Sequence, residues 1–223
     1  SGVTLAELTI RRVLVDAVRV QPDPGTGDVL GVRLHGLIIE DALSRGVVVD
    51  AYNGAYVDGG VVSCSHLTLS EEGRARFEDA CGVGGVELRQ AAGWTVRDNR
   101  VDGLWCDNGA AAPAILAWRS SADTVVERNR IDDGHRGIGL GEAQTALAGQ
   151  RTYPDVTCDT SAHVDHYGGI VRNNMLFTGS EADEQRLRFG AGRASRVDQV
   201  AVPSQKQTGW RIDGDERDTE GLC

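Results

Sequence analysis

Apolar residues recur at short, even spacing through the middle of the chain. Three segments align without gaps: WTVRDNRVDG (94–103), TVVERNRIDD (124–133) and GIVRNNMLFT (169–178). Val96, Val126 and Val171 form one apolar row, Val101, Ile131 and Leu176 a second, and Asn99, Asn129 and Asn174 lie between them. A two-residue period interrupted by a polar turn predicts short strands joined at corners, not helix. LTIRRVLV (8–15) and LIIEDALS (37–44) repeat the apolar spacing more loosely, with Val13 and Ala42 where the asparagine would stand. A further strand is expected in SRGVVVDA (44–51), DGLWCD (102–107) and HRGIGLG (135–141).

Strand, asparagine corner, strand, repeated, predicts a parallel β-solenoid of about six coils, each stacked at about 4.8 Å on the last. Like residues then lie on like residues. Valine and isoleucine fill the interior, and stacked asparagines satisfy one another's amides. No helical pattern recurs between the strands, which excludes a Rossmann or TIM arrangement. The composition fits: 29 glycines, 5 prolines and an aromatic content of 5% suit short strands and tight turns.

The units resemble the right-handed parallel β-helix repeats of the pectin-lyase-like superfamily. WCDNGAAAPAILAWRSSADTVVERNRIDDGHRGIGLG followed by HYGGIVRNNMLF is similar to bacterial β-helix proteins, most clearly over about residues 85–178. The resemblance implies an all-β, right-handed parallel β-helix. It implies little about activity, since lyases, hydrolases, epimerases, adhesins and inert stalks share that fold.

The pattern breaks twice. Residues 142–168 form an insertion carrying Cys158, His163, Asp165 and His166, and loops of that length are commonly functional or disordered. A Cys106–Cys158 disulfide would pin it; five cysteines with no CxxC leave buried free thiols as the other reading. Residues 179–223 lose the repeat and read as an irregular cap, a flexible tail or a product of a changed reading frame, after a β-helix spanning 1–178.

Three groups of residues carry candidate chemistry. Asp132, Asp133 and His135, in VVERNRIDDGHRGIGLG, have the residue types of a polysaccharide hydrolase site, although the two acids would point to opposite faces of an extended chain and the Arg-Ile-Lys of polygalacturonase-type enzymes is absent. The alignment stacks Asp102 on Asp132, and two close carboxylates raise a pKa or invite a cation such as Ca²⁺. Solvated turn residues are the plainer reading. His166 joins His135 as a catalytic candidate if the insertion folds back over the HRGIGLG strand; His163 and Asp165 complete a metal-compatible loop set. Arg100, Arg130 and Arg136 are candidates for binding an anionic sugar, against a plain reading of surface charge. Arg97, Glu127 and Arg172 alternate in sign, as a charge ladder along a stack would. Trp94, Trp105, Trp118 and Tyr167 are expected mainly in core and corner packing, with sugar stacking the alternative.

A formal net charge of −10 argues against non-specific binding to nucleic acid or anionic membrane. No apolar run approaches the ~18 residues of a membrane span. Two functions follow as expectations. One is an extracellular, periplasmic or surface protein that binds or cleaves polysaccharide on the outer face of the solenoid. The other is a non-catalytic structural or assembly module, forming a rigid rod within an oligomer or larger parent assembly.

Overall fold

The protein, a computed structural model, is described over residues 2–23, 25, 27–51, 55–76, 82–106, 111–141 and 165–177. The backbone of 185–189, 192–193 and 196–198 is also described. Every ladder pairing between its named strands is parallel, and the chain is a β-solenoid of three stacked main sheets. Sheet A stacks Thr4–Ala6, Arg33–His35, Val61–Ser63, Thr95–Arg97, Val125–Glu127, Ile170–Arg172 and Arg196–Asp198. Sheet B stacks Thr9–Val13, Ile38–Ala42, His66–Thr68, Arg100–Asp102, Arg130–Asp132 and Met175–Phe177. Sheet C stacks Val18–Val20, Arg45–Asp50, Gly84–Arg89, Ile115–Trp118, Arg136–Leu140 and Gln185–Phe189. Each coil contributes one strand to each sheet in turn.

Register explains why the sequence folds this way. Leu5, Leu34, Val62, Val96, Val126 and Val171 form one column of sheet A. Ile10, Ile39, Leu67, Val101, Ile131 and Leu176 form the facing column of sheet B. Val18, Val47, Val86, Ile115 and Ile138 close the triangle from sheet C. Most of these are buried in one continuous core. Each buried aliphatic side chain contributes roughly 1.5–3 kcal/mol, so even short strands are held. Trp94 is also fully buried, with its indole N–H donating to the Val57 carbonyl at 2.7 Å. Gly60 makes room for it: a Cβ there would lie 2.5 Å from the indole ring.

The asparagine row forms the corner between sheets A and B. Asn174 Oδ1 accepts from the backbone N–H and Nδ2 of Asn129 at 2.9 and 3.0 Å. Asn129 Oδ1 accepts the same pair from Asn99 at 3.1 and 3.0 Å, and Asn99 Oδ1 accepts from the Ser65 N–H at 3.0 Å. Ser65 extends the ladder by accepting from the Leu37 N–H at 3.1 Å. All four ladder side chains are buried. The left-handed residue of each corner is the one before the ladder position: Glu7, Gly36, Cys64, Asp98, Arg128 and Asn173 have φ of 52° to 62°. The asparagines supply buried hydrogen bonds, not backbone conformation.

Three expectations need correction. LTIRRVLV and LIIEDALS stack on sheet B, with Thr9, Ile38, His66 and Arg100 in one column, so Leu8 and Leu37 precede Ser65 in the ladder column, not Val13 and Ala42. Apolar spacing alone did not distinguish the sheet A strand of a coil from its sheet B strand. DGLWCD turns after Asp102; the sheet C strand of that coil is Ile115–Trp118. Parallel pairing also continues past residue 178, because Gln185–Phe189, Gly192–Arg193 and Arg196–Asp198 add to their sheets. Residues 142–164, 178–184 and 199–223 lie outside the described residues, and so do the readings made of them.

Candidate functional site

The corner that follows sheet B gathers polar and aromatic side chains from three successive coils. Ser70 caps the single helical turn Glu71–Arg74, accepting from the Gly73 N–H at 3.0 Å. Arg74 then points at the next coil, donating from Nη1 to the carbonyls of Leu69 (2.9 Å) and Gly103 (3.2 Å). Its guanidinium lies 4.3 Å above the ring centroid of Trp105. The Trp105 indole N–H donates to Asp133 Oδ2 on the following coil at 3.0 Å. Asp133 is in the left-handed region, with φ 51°, and aspartate tolerates this better than most residues. His135 is tied to the same turn, its N–H donating to the Leu104 carbonyl at 3.1 Å. Its ring lies 6.4 Å from that of Trp105, tilted by 50°, and its Nδ1 is buried without a partner. Arg74, Trp105, Asp133 and His135 are all partly exposed. A guanidinium over an indole is worth about 0.5–2 kcal/mol, enough to fix the ring's orientation.

Beside this corner lies the outer face of sheet B. Asp102 and Asp132 are paired neighbours on adjacent strands, as the alignment predicts, and so are Arg100 and Arg130. The charges close on one another. Arg100 reaches Asp102 at 3.0 Å and Asp132 at 3.3 Å, and Arg130 Nε reaches Asp132 at 2.7 Å. Arg130 also lies 4.5 Å over the Phe177 ring. The hydrogen bond that Arg130 donates to Asp132 raises its pKa above the ordinary value. Two guanidiniums stand where a calcium ion would, so the pair does not fit that cation. Among the described residues no group of three or more His, Cys, Asp or Glu is arranged to hold a metal. Arg97, Glu127 and Arg172 are strand neighbours on sheet A; Arg172 Nη2 lies 2.6 Å from Glu127, whereas Arg97 pairs with Asp98 at 3.0 Å.

The two histidines are not brought together. His135 precedes the sheet C strand Arg136–Leu140, whereas His166 lies beyond the far end of sheet C, on the small sheet where Ser121–Ala122 pairs with His166–Tyr167. His166 exposes 0% of its surface; one ring nitrogen meets Thr124 Oγ1 at 3.1 Å and Nδ1 has no partner. Burial pushes its pKa down to about 4. It presents nothing to a ligand on the outer face. Asp165 is equally enclosed, accepting from the Arg119 N–H at 2.7 Å. Arg136 is partly exposed and already engaged. Cys106 is buried and engaged; Cys158 and His163 lie outside the described residues.

A depressed histidine pKa has a defined consequence for stability. The unfolded chain takes up the His166 proton near pH 6.5, the folded chain only near pH 4. His166 therefore contributes stability fully above about pH 6.5 that is lost as pH falls toward 4, by about 3 kcal/mol. Urea midpoints should fall between pH 6.5 and 4.5 in the native chain. In His166→Leu that slope should flatten; an unchanged slope would assign it to other groups.

Glu87 had no distinguishing mark in the sequence beyond an outward position within GGVELRQ. It is 1% exposed on the outer side of sheet C. Arg45 Nε bonds one carboxylate oxygen; Arg89 Nε (2.5 Å) and the Trp118 indole N–H (2.8 Å) bond the other. Burial raises its pKa, but the Arg89 hydrogen bond and the charges of Arg45 and Arg89 outweigh this and hold it below the usual carboxylate range.

No family model matches the chain, and no curated protein matches it. Among solved structures, it is similar to a crystal structure of a "putative glycosyl hydrolase" from Parabacteroides merdae. The TM-score is 0.40 at 9% identity, over 87% of this chain and 82% of that one. A likeness that remote carries no argument about chemistry, which rests on the residues themselves.

Proposed function

We propose that the protein binds polysaccharide at the corner formed by Arg74, Trp105, Asp133 and His135. The observation that carries the reading is the orientation of Trp105, a partly exposed residue with its N–H held by Asp133 and its ring held by Arg74. A fixed, partly exposed aromatic surface beside a carboxylate and an imidazole is chemistry suited to sugars: C–H faces stack on the ring and hydroxyls donate to the carboxylate. Ligand binding needs such preorganisation, since side chains already ordered cost little further entropy. An imidazole beside a carboxylate is the residue pairing of general acid–base chemistry, so cleavage at this corner would use His135 with Asp133. Asp132 is spent on two arginines. Membership of the pectin-lyase-like superfamily, a right-handed coil, a Cys106–Cys158 disulfide and an extracellular or surface location belong to the same reading. They rest on the repeat and the cysteine content.

Affinity electrophoresis through gels containing neutral or acidic polysaccharides tests it. At least one polymer should retard the native chain. Trp105→Ala should weaken that interaction about tenfold or more, equivalent to ~1.4 kcal/mol. Retardation that is the same in both proteins would remove this corner as the binding site.

A further inference from the structure

We infer that the ligand of the Trp105 corner is a neutral, hydroxyl-rich glycan and not a polyuronate; this rests on the glycan reading above. A uronate carboxylate is recognised by an uncommitted guanidinium or ammonium, or through a bound cation. Among the described residues, the four arginines Arg74, Arg100, Arg130 and Arg136 beside Trp105 are already engaged. Arg74 is spent on the carbonyls of Leu69 and Gly103 and on the Trp105 ring. Arg100 is spent on Asp102 and Asp132, Arg130 on Asp132 and Phe177, and Arg136 is engaged. The chain's single lysine, Lys206, lies outside the described residues.

The acidic groups point the same way. Asp102, Asp132 and Asp133 offset the charges of Arg74, Arg100 and Arg130 in a chain of net charge −10. Asp133 accepts one hydrogen bond from Trp105 and keeps acceptor sites for more. Those sites take hydroxyl donors from a neutral sugar; against a uronate carboxylate they present like charge. Asp102 and Asp132 cannot recruit calcium as a bridge to uronate, because Arg100 and Arg130 occupy them.

The test is calorimetric titration of the full chain with size-matched neutral oligosaccharides (gluco-, xylo-, manno- and galacto-series) and with oligogalacturonate, each with and without calcium. A neutral series is expected to bind at least about tenfold more tightly than the uronate, with affinity indifferent to salt. Trp105→Ala and the nearly isosteric Asp133→Asn should each weaken it about tenfold with the circular dichroism of the native chain retained. Oligogalacturonate binding as tightly as the neutral series, with or without calcium, overturns the inference while leaving the glycan site in place. Binding of neither class overturns both. Neutral binding unchanged in both variants overturns the placement at this corner.

Discussion

Replacing Asn129 with alanine is expected to destabilise the fold by about 4 kcal/mol. The side chain accepts from both the backbone N–H and Nδ2 of Asn99 and donates to the Val96 carbonyl. Truncation strips a partner from these three groups, of which Asn99 Nδ2 keeps its bond to the Val62 carbonyl, in a corner where Asn129 is 1% exposed. Each buried polar group left unsatisfied costs about 1–3 kcal/mol. The donor Asn129 Nδ2 to Asn174 is removed along with its own demand, so that bond adds little. Asn129→Ser should recover part of the loss, because Ser65 fills the same column by accepting a backbone N–H from the adjacent coil. Urea denaturation of the three proteins measures the difference. Equal stability of the alanine and native chains would show that the ladder does not hold the coils together.

The second large effect is expected at Glu87. Glu87→Ala should cost about 3–5 kcal/mol, the range for breaking a buried ion pair from one side, because Arg45 and Arg89 are left facing each other without their carboxylate. Asp50 also contacts Arg89, at 3.3 Å, and moderates the loss. Glu87→Gln keeps a hydrogen-bonding group but not the charge and should fall between. The pH dependence has the opposite origin to that of His166 but the same direction. A carboxyl whose folded pKa is depressed contributes stability present above its unfolded value, near 4.5, and lost as pH falls through the lower folded value. Acid unfolding below pH 4.5 should therefore lose steepness in Glu87→Gln, while the loss between pH 6.5 and 4.5 remains with His166. A variant as stable as the native chain would mean that the two arginines find other partners.

The charged residues on the outer faces of the coils divide by their surroundings. Arg100, Arg130 and Arg128 are largely solvated, and ion pairs there contribute little to stability. Their consequence is chemical: they consume the cations that an acidic ligand would need. Glu87 lies under cover, where an unpaired charge is expensive, so the same kind of contact becomes structural.

The hydrophobic spacing and the asparagine row by themselves determined a parallel solenoid. A two-residue period repeated around a polar corner buries its apolar face only by stacking coil on coil, and the columns Val96–Val126–Val171 and Asn99–Asn129–Asn174 were legible for that reason. The adjacency of Asp102 and Asp132 was legible too, since residues in register on neighbouring coils are sequence-aligned by construction. Where apolar residues alone marked the strands, as in 8–15 and 37–44, a sheet A strand and a sheet B strand looked alike, and only the ladder of backbone hydrogen bonds separated them. Tertiary structure also decided which of the aligned charges neutralise one another, and which histidine faces solvent. It brought Arg74, Trp105, Asp133 and His135 to one corner from three coils. Such contacts depend on side-chain directions at turns that share no period with the strands, and spacing along the chain does not encode those directions.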